Sequence, residues 1–135
     1  MKSYSMCGLV ALVMVLSGVV EVRGEVLTNV AVGAHYTLVP APSYALCSDP
    51  GDGVQLTDGV YTEGDFWTTA STVGWGNTLT TMVTLDLGKD FPIRGASLNT
   101  AAGRAGVNWP AAIRIFVAGE DGQFRDGGDL LALSE

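Results

Sequence analysis

One histidine and two cysteines are all the imidazole and thiol that this 135-residue chain contains. It has no His-x-x-x-His pair, no Cys-x-x-Cys pair and no Gly-x-Ser-x-Gly elbow, so zinc, thiol-redox and serine-nucleophile chemistries lack the spacings they need. Gly74-Trp75-Gly76 has no third glycine in phase for a dinucleotide loop. Acidic residues are numerous enough that pairs suited to glycoside hydrolysis arise by chance, and the chain is not expected to be an enzyme. Asn29, Asn77, Asn99 and Asn108 all lack a hydroxyl residue two positions on, so no glycosylation sequon is present. Positive charge is also scarce, with 7 Lys and Arg against 14 Asp and Glu. Such a surface repels phosphate backbones, and nucleic acid is not an expected partner.

A long apolar run occurs only near the start. Residues 7–20 are apolar apart from Gly8, Ser17 and Gly18, with Lys2 upstream and Val22-Arg23-Gly24 downstream. The run falls short of the roughly 20 residues that span a bilayer. It has the layout of a secretory signal peptide, helical over its apolar part, with cleavage expected after Gly24. Residues 1–24 are therefore read as a leader and residues 25–135 as the mature domain, secreted to the extracellular space or periplasm. Removing Lys2, Arg23 and Glu21 from the 7 basic and 14 acidic residues leaves 5 and 13, a net charge near −8. Only Cys47 then remains, which excludes an intrachain disulfide and leaves burial, favoured here, or pairing with another molecule.

No helical apolar period runs through the mature region, which is rich in glycine and turn clusters. Residues 28–39 alternate loosely and end at Pro40-Ala41-Pro42. Residues 48–53 form a dense turn cluster, and residues 54–56 a short helical turn or bridge. The clearest strand covers residues 80–87, with Val83, Leu85 and Leu87 on one face and Met82, Thr84 and Asp86 on the other. Further strands are predicted at 93–100 and at 113–118, with Ile113, Ile115 and Val117 inward. Asp121-Gly122 marks a hairpin turn, and 130–133 is predicted as the returning strand. Short strands separated by turn signals point to an all-β sandwich.

The stretch QLTDGVYTEGDFW, residues 55–67, combines the Asp58-Gly59 turn with Glu63 and Asp65 and closes on Trp67. Phe66-Trp67-Thr68-Thr69 reads as the start of a strand that buries Trp67 deeply. Carboxylates on a turn can offer oxygen ligands to a hard cation, or can simply be a solvated acidic turn anchored by a core tryptophan.

QLTDG, the tryptophan of DFWTT, VTLDLG, IRGASLNT and IRIFVAGEDGQF occur in an order that resembles a discoidin, or coagulation factor 5/8 type C, domain. The resemblance runs from about Asn29 to Leu133. It implies a galactose-binding-domain-like jelly-roll β-sandwich, akin to carbohydrate-binding modules, with ligand loops at one end. It implies a structural Ca²⁺ on Asp58, with Asp65 beside it. Family members continue beyond the returning strand with two or three further strands, so residues 25–135 are expected to be an incomplete domain, either a fragment of a longer chain with further domains or a reading frame cut short.

Two loops carry the candidate ligand contacts. Trp75 lies between glycines with Asn77 beside it; it can face a sugar ring or fold onto the core. Arg104, Asn108 and Trp109 share a second loop, where the first two could bond hydroxyls and Trp109 could stack. The Trp109-Pro110 pair equally suits a rigid loop entrance. His35 reads as an ordinary strand residue, and Glu120, Asp121, Asp126 and Asp129 as a solvated hairpin. The expected function is non-catalytic binding of carbohydrate. The alternatives are a cell-surface adhesion or protein-interaction module, or an inert fragment of a longer protein.

Overall fold

The computed structural model describes residues 7–8, 27–64 and 66–133. The expected leader helix, the cleavage bond after Gly24 and the side chain of Asp65 lie outside these residues, although Cys7 and Gly8 themselves are extended. Strand is the main regular structure. The strands are β1 (Cys7–Gly8), β2 (His35–Val39), β3 (Trp75–Gly76), β4 (Met82–Asp86), β5 (Arg114–Val117) and β6 (Arg125–Asp129). Two 3-10 turns, Pro50–Gly53 and Phe66–Thr68, and one short helix, α1 (Leu130–Leu133), complete the elements. The class is consistent with all-β. The strands pair antiparallel as three two-stranded ladders, β1 with β3, β2 with β4 and β5 with β6.

β2 and β4 form the base of the main core. Their register sets Tyr36 opposite Leu85 and Leu38 opposite Val83. Alternation puts these four on one face, where they pack against buried Leu56, Val73 and Trp75. Val39 and Met82, opposite each other on the far side, are exposed. Trp75 is 0% exposed, and its indole N–H donates to the Pro40 carbonyl at 2.8 Å. Gly74 O accepts from Ser43 N at 2.9 Å and Tyr44 N at 3.1 Å, which holds the approach to β3 against the chain after β2.

The turn after residue 48 is tied to this core by side chains. Asp49 caps the first 3-10 turn, accepting from Gly51 N at 2.5 Å and Gln55 Nε2 at 3.2 Å. A Cβ on Gly51 would stand 2.8 Å from Asp49 Oδ1 and collide with the Gln55 amide, so the cap needs glycine there. Tyr36 Oη donates to Asp52 O at 2.5 Å and accepts from Leu56 N at 3.2 Å. Thr57 Oγ1 donates to Ala34 O at 2.9 Å.

A second cluster joins Cys47, Ala101 and Val107, with Tyr44, Phe66, Trp67 and Ala102 packed against it. Cys47 is buried there, as favoured from the sequence.

Several predicted elements are corrected. Trp67 sits in a 3-10 turn and is half-buried, because it lies over the rim of the second cluster instead of entering a ladder. Residues 93–100 carry only a single bridge residue at Asn99. Their alternating residues are mostly small or polar, so neither face buries much apolar surface. The returning strand is β6, with 130–133 turning as α1. Asp129 Oδ1 ends the hairpin by accepting from Ile113 N and Leu131 N. Val117 is exposed instead of inward, opposite Arg125 at the turn end of the hairpin, and the bulge in this ladder falls at Gly127 of β6.

Buried oxygens at the capped turn give a pH prediction. Burial, and secondarily the Asp49 charge, hold the Asp52 carboxyl above the ordinary carboxylate range, and Asp52 Oδ1 has no partner among the described residues. A raised folded value penalises the ionised fold, and the penalty is relieved as pH falls through that value. Asp52→Asn should therefore raise the urea midpoint at pH 7 and lose most of this gain near pH 4, about where a free aspartate protonates. An equal effect at both pH values would show that Asp52 is not under this penalty. Asp121 behaves oppositely: its bond from Arg125 lowers it, so its contribution is lost as pH falls below the ordinary range.

Candidate functional site

The loop covering residues 101–110 is held from beneath by buried Ala101 and Val107. Its backbone closes on itself: Gly103 N donates to Val107 O at 2.9 Å, Arg104 N to Ala101 O at 3.2 Å and Val107 N to Arg104 O at 2.7 Å. Gly103, Ala105 and Gly106 all take positive φ, which tightens the turn. A Cβ on Gly103 would lie 3.0 Å from Trp109 Nε1, so glycine lets the indole edge settle close over the loop. Trp109 is still 68% exposed, and Arg104 and Asn108 beside it are exposed. The loop thus offers a flat apolar ring together with guanidinium, carboxamide and indole donors on a fixed backbone.

Of the other predicted contacts, Trp75 has no face to offer a ligand. It is the centre of the main core, and the assignment of Trp75 to sugar binding is corrected on that ground. Asn77 is exposed at φ 54°, in the turn after β3. Tyr44 connects the two regions: it packs against the cluster beneath residues 101–107, and its ring would lie 3.9 Å from a Cβ on Gly76. Tyr44 and Gly103 are the positions that sequence reasoning missed. The glycine spacing at 103 and 106 is the signal that could have shown the second.

Asp58 forms the expected turn, with Gly59 at φ 80° and Asp58 Oδ1 accepting from Val60 N at 2.8 Å. Its side chain is exposed, and among the described residues no group of three or more His, Cys, Asp or Glu side chains gathers there or elsewhere. Among the described residues Asp58 brings a single carboxylate to this turn, whereas a Ca²⁺ centre takes six to eight oxygens.

A cavity of about 10 Å³ lies between Gln55, Phe66, Thr72 and Asn99, room for about one water and far too little for a sugar ring. The exposed loop at residues 101–110 is the candidate surface. No protein-family model, no curated protein and no solved structure matches this chain.

Proposed function

We propose that this chain is a secreted, non-catalytic carbohydrate-binding domain of the discoidin kind, a jelly-roll sandwich that takes a glycan on residues 101–110. The observation that carries this reading is Trp109, exposed at 68% on a loop whose backbone is fixed by its own hydrogen bonds. An exposed aromatic plane, with hydrogen-bond donors on the same loop, suits a pyranose ring with its apolar face and equatorial hydroxyls. The motif order described above supports the family assignment.

A glycan array followed by titration tests the reading. Trp109→Ala should lower affinity for the bound glycan tenfold or more, about 1.4 kcal/mol. Trp109 is exposed, so the melting temperature should stay nearly constant. Unchanged affinity would remove the loop from the site.

Calcium is a second component of this reading, supported by Asp58 Oδ2. That oxygen is exposed on a fixed turn and makes no hydrogen bond among the described residues. If Asp65 and backbone carbonyls complete a site, millimolar Ca²⁺ should raise the melting temperature of metal-stripped protein, and Asp58→Ala should abolish the rise. No shift and no heat of binding would leave Asp58 as a solvated turn.

One observation favours a protein ligand instead. Val39, Met82, Phe116 and Phe124 are all exposed on strands or the hairpin. An array without hits, accompanied by capture of a protein ligand, would shift the reading to an adhesion module.

A further inference from the structure

Resting on the carbohydrate reading, we infer that the glycan recognised by residues 101–110 is acidic, and that Arg104 selects a sugar bearing a carboxylate. Charge is unevenly distributed along the chain. The chain has 14 acidic residues, yet none lies between Asp90 and Glu120. That stretch carries Arg94, Arg104 and Arg114 and holds the whole candidate loop. An otherwise acidic molecule therefore has one segment that is locally positive, and the exposed tryptophan is part of it.

The other cations among the described residues are engaged within the protein. Arg114 pairs with Asp126, Arg125 pairs with Asp121, and Lys89 lies 4.9 Å from the centre of the Phe91 ring. Arg94 has an interaction of its own. The Arg104 side chain makes no hydrogen bond or ion pair among the described residues, and the residue is exposed. Its backbone is held at both N–H and C=O by the loop's hydrogen bonds, so only the side chain has to be ordered on binding. A guanidinium presents a planar fork that matches a carboxylate through two parallel N–H···O bonds. With the indole as platform and Asn108 as a neutral donor or acceptor, the loop suits a ring with one apolar face and an equatorial carboxylate. Uronic acids have that chemistry.

The test is calorimetric titration of the whole chain with three probes: an oligogalacturonate, a neutral galacto-oligosaccharide of equal length and a sulfated one. The uronate should bind at least tenfold more tightly than the neutral sugar at low salt. That preference should shrink as NaCl is raised, because an exposed charge pair is screened. Arg104→Gln should reduce the uronate-to-neutral affinity ratio at least tenfold, with Arg104→Lys recovering only part of it. Arg125→Gln, on the β5–β6 hairpin where the side chain pairs with Asp121, should leave the ratio unchanged. Equal affinity for uronate and neutral sugar, or a ratio indifferent to Arg104→Gln, overturns the inference and leaves the carbohydrate reading standing. Sulfated sugar bound as tightly as uronate overturns the carboxylate assignment. Binding of none of the three, together with an array free of hits, overturns both.

Discussion

Trp75→Ala should cost about 3–5 kcal/mol, enough to leave a domain of ordinary stability largely unfolded. Three losses combine. The indole is 0% exposed and packs with Leu56 and Val73, so truncation removes a large buried apolar surface. The space left is bounded by Tyr36, Leu38, Val83 and Leu85, whose places are set by the β2–β4 register, so the site cannot collapse easily. The Pro40 carbonyl also loses the donor that reaches it at 2.8 Å. Trp75→Phe separates these terms: it retains most of the packing and should cost distinctly less. Urea unfolding followed by circular dichroism measures both variants. A loss below about 1 kcal/mol for the alanine variant would contradict the central place given to Trp75.

Tyr36→Phe should destabilise by about 1–3 kcal/mol although no apolar contact changes. The Tyr36 hydroxyl donates to Asp52 O and accepts from Leu56 N, so one atom joins β2 to the capped turn and to the chain that follows it. Its removal leaves a backbone N–H and a carbonyl without that partner, next to the buried side chain of Leu56. The same burial raises the Tyr36 hydroxyl above its ordinary value, with the Asp52 and Asp58 charges adding to it. Folding is thus favoured by the neutral phenol, and this contribution is lost as pH rises from about 10 through the raised folded value. In the phenylalanine variant that alkaline loss should be absent. Wild-type stability at neutral pH in the variant would show that the hydroxyl bridge contributes nothing net.

The two predictions bear on what can be read from residues in order. β4 was legible because apolar and polar residues alternate through 82–86 between turn residues, and Val83 and Leu85 do face the core. The Asp58-Gly59 and Asp121-Gly122 turns were legible because each aspartate bonds a backbone N–H two positions on. The roles of the tryptophans were not, since composition around Trp67 and Trp75 is alike in kind. What separates them is distant. Trp75 has a carbonyl waiting 35 positions earlier and a ladder pair beneath it, while Trp67 meets only the edge of a smaller cluster. At the candidate loop, Arg104, Asn108 and Trp109 could be named from residue type. The contact between Trp109 and Gly103 depends on backbone angles that residue names do not carry.

The β2–β4 ladder also has a kinetic consequence. It joins positions 43 to 51 residues apart, and the whole capped turn, the 62–72 loop and β3 must be looped out before its first hydrogen bond can form. The β5–β6 hairpin closes over a far shorter loop. Folding should therefore be slow and limited by the meeting of β2 and β4, with the hairpin forming and breaking many times beforehand. Until that meeting Leu38, Val83 and Leu85 remain uncovered, so the chain is most prone to self-association before the β2–β4 ladder has formed.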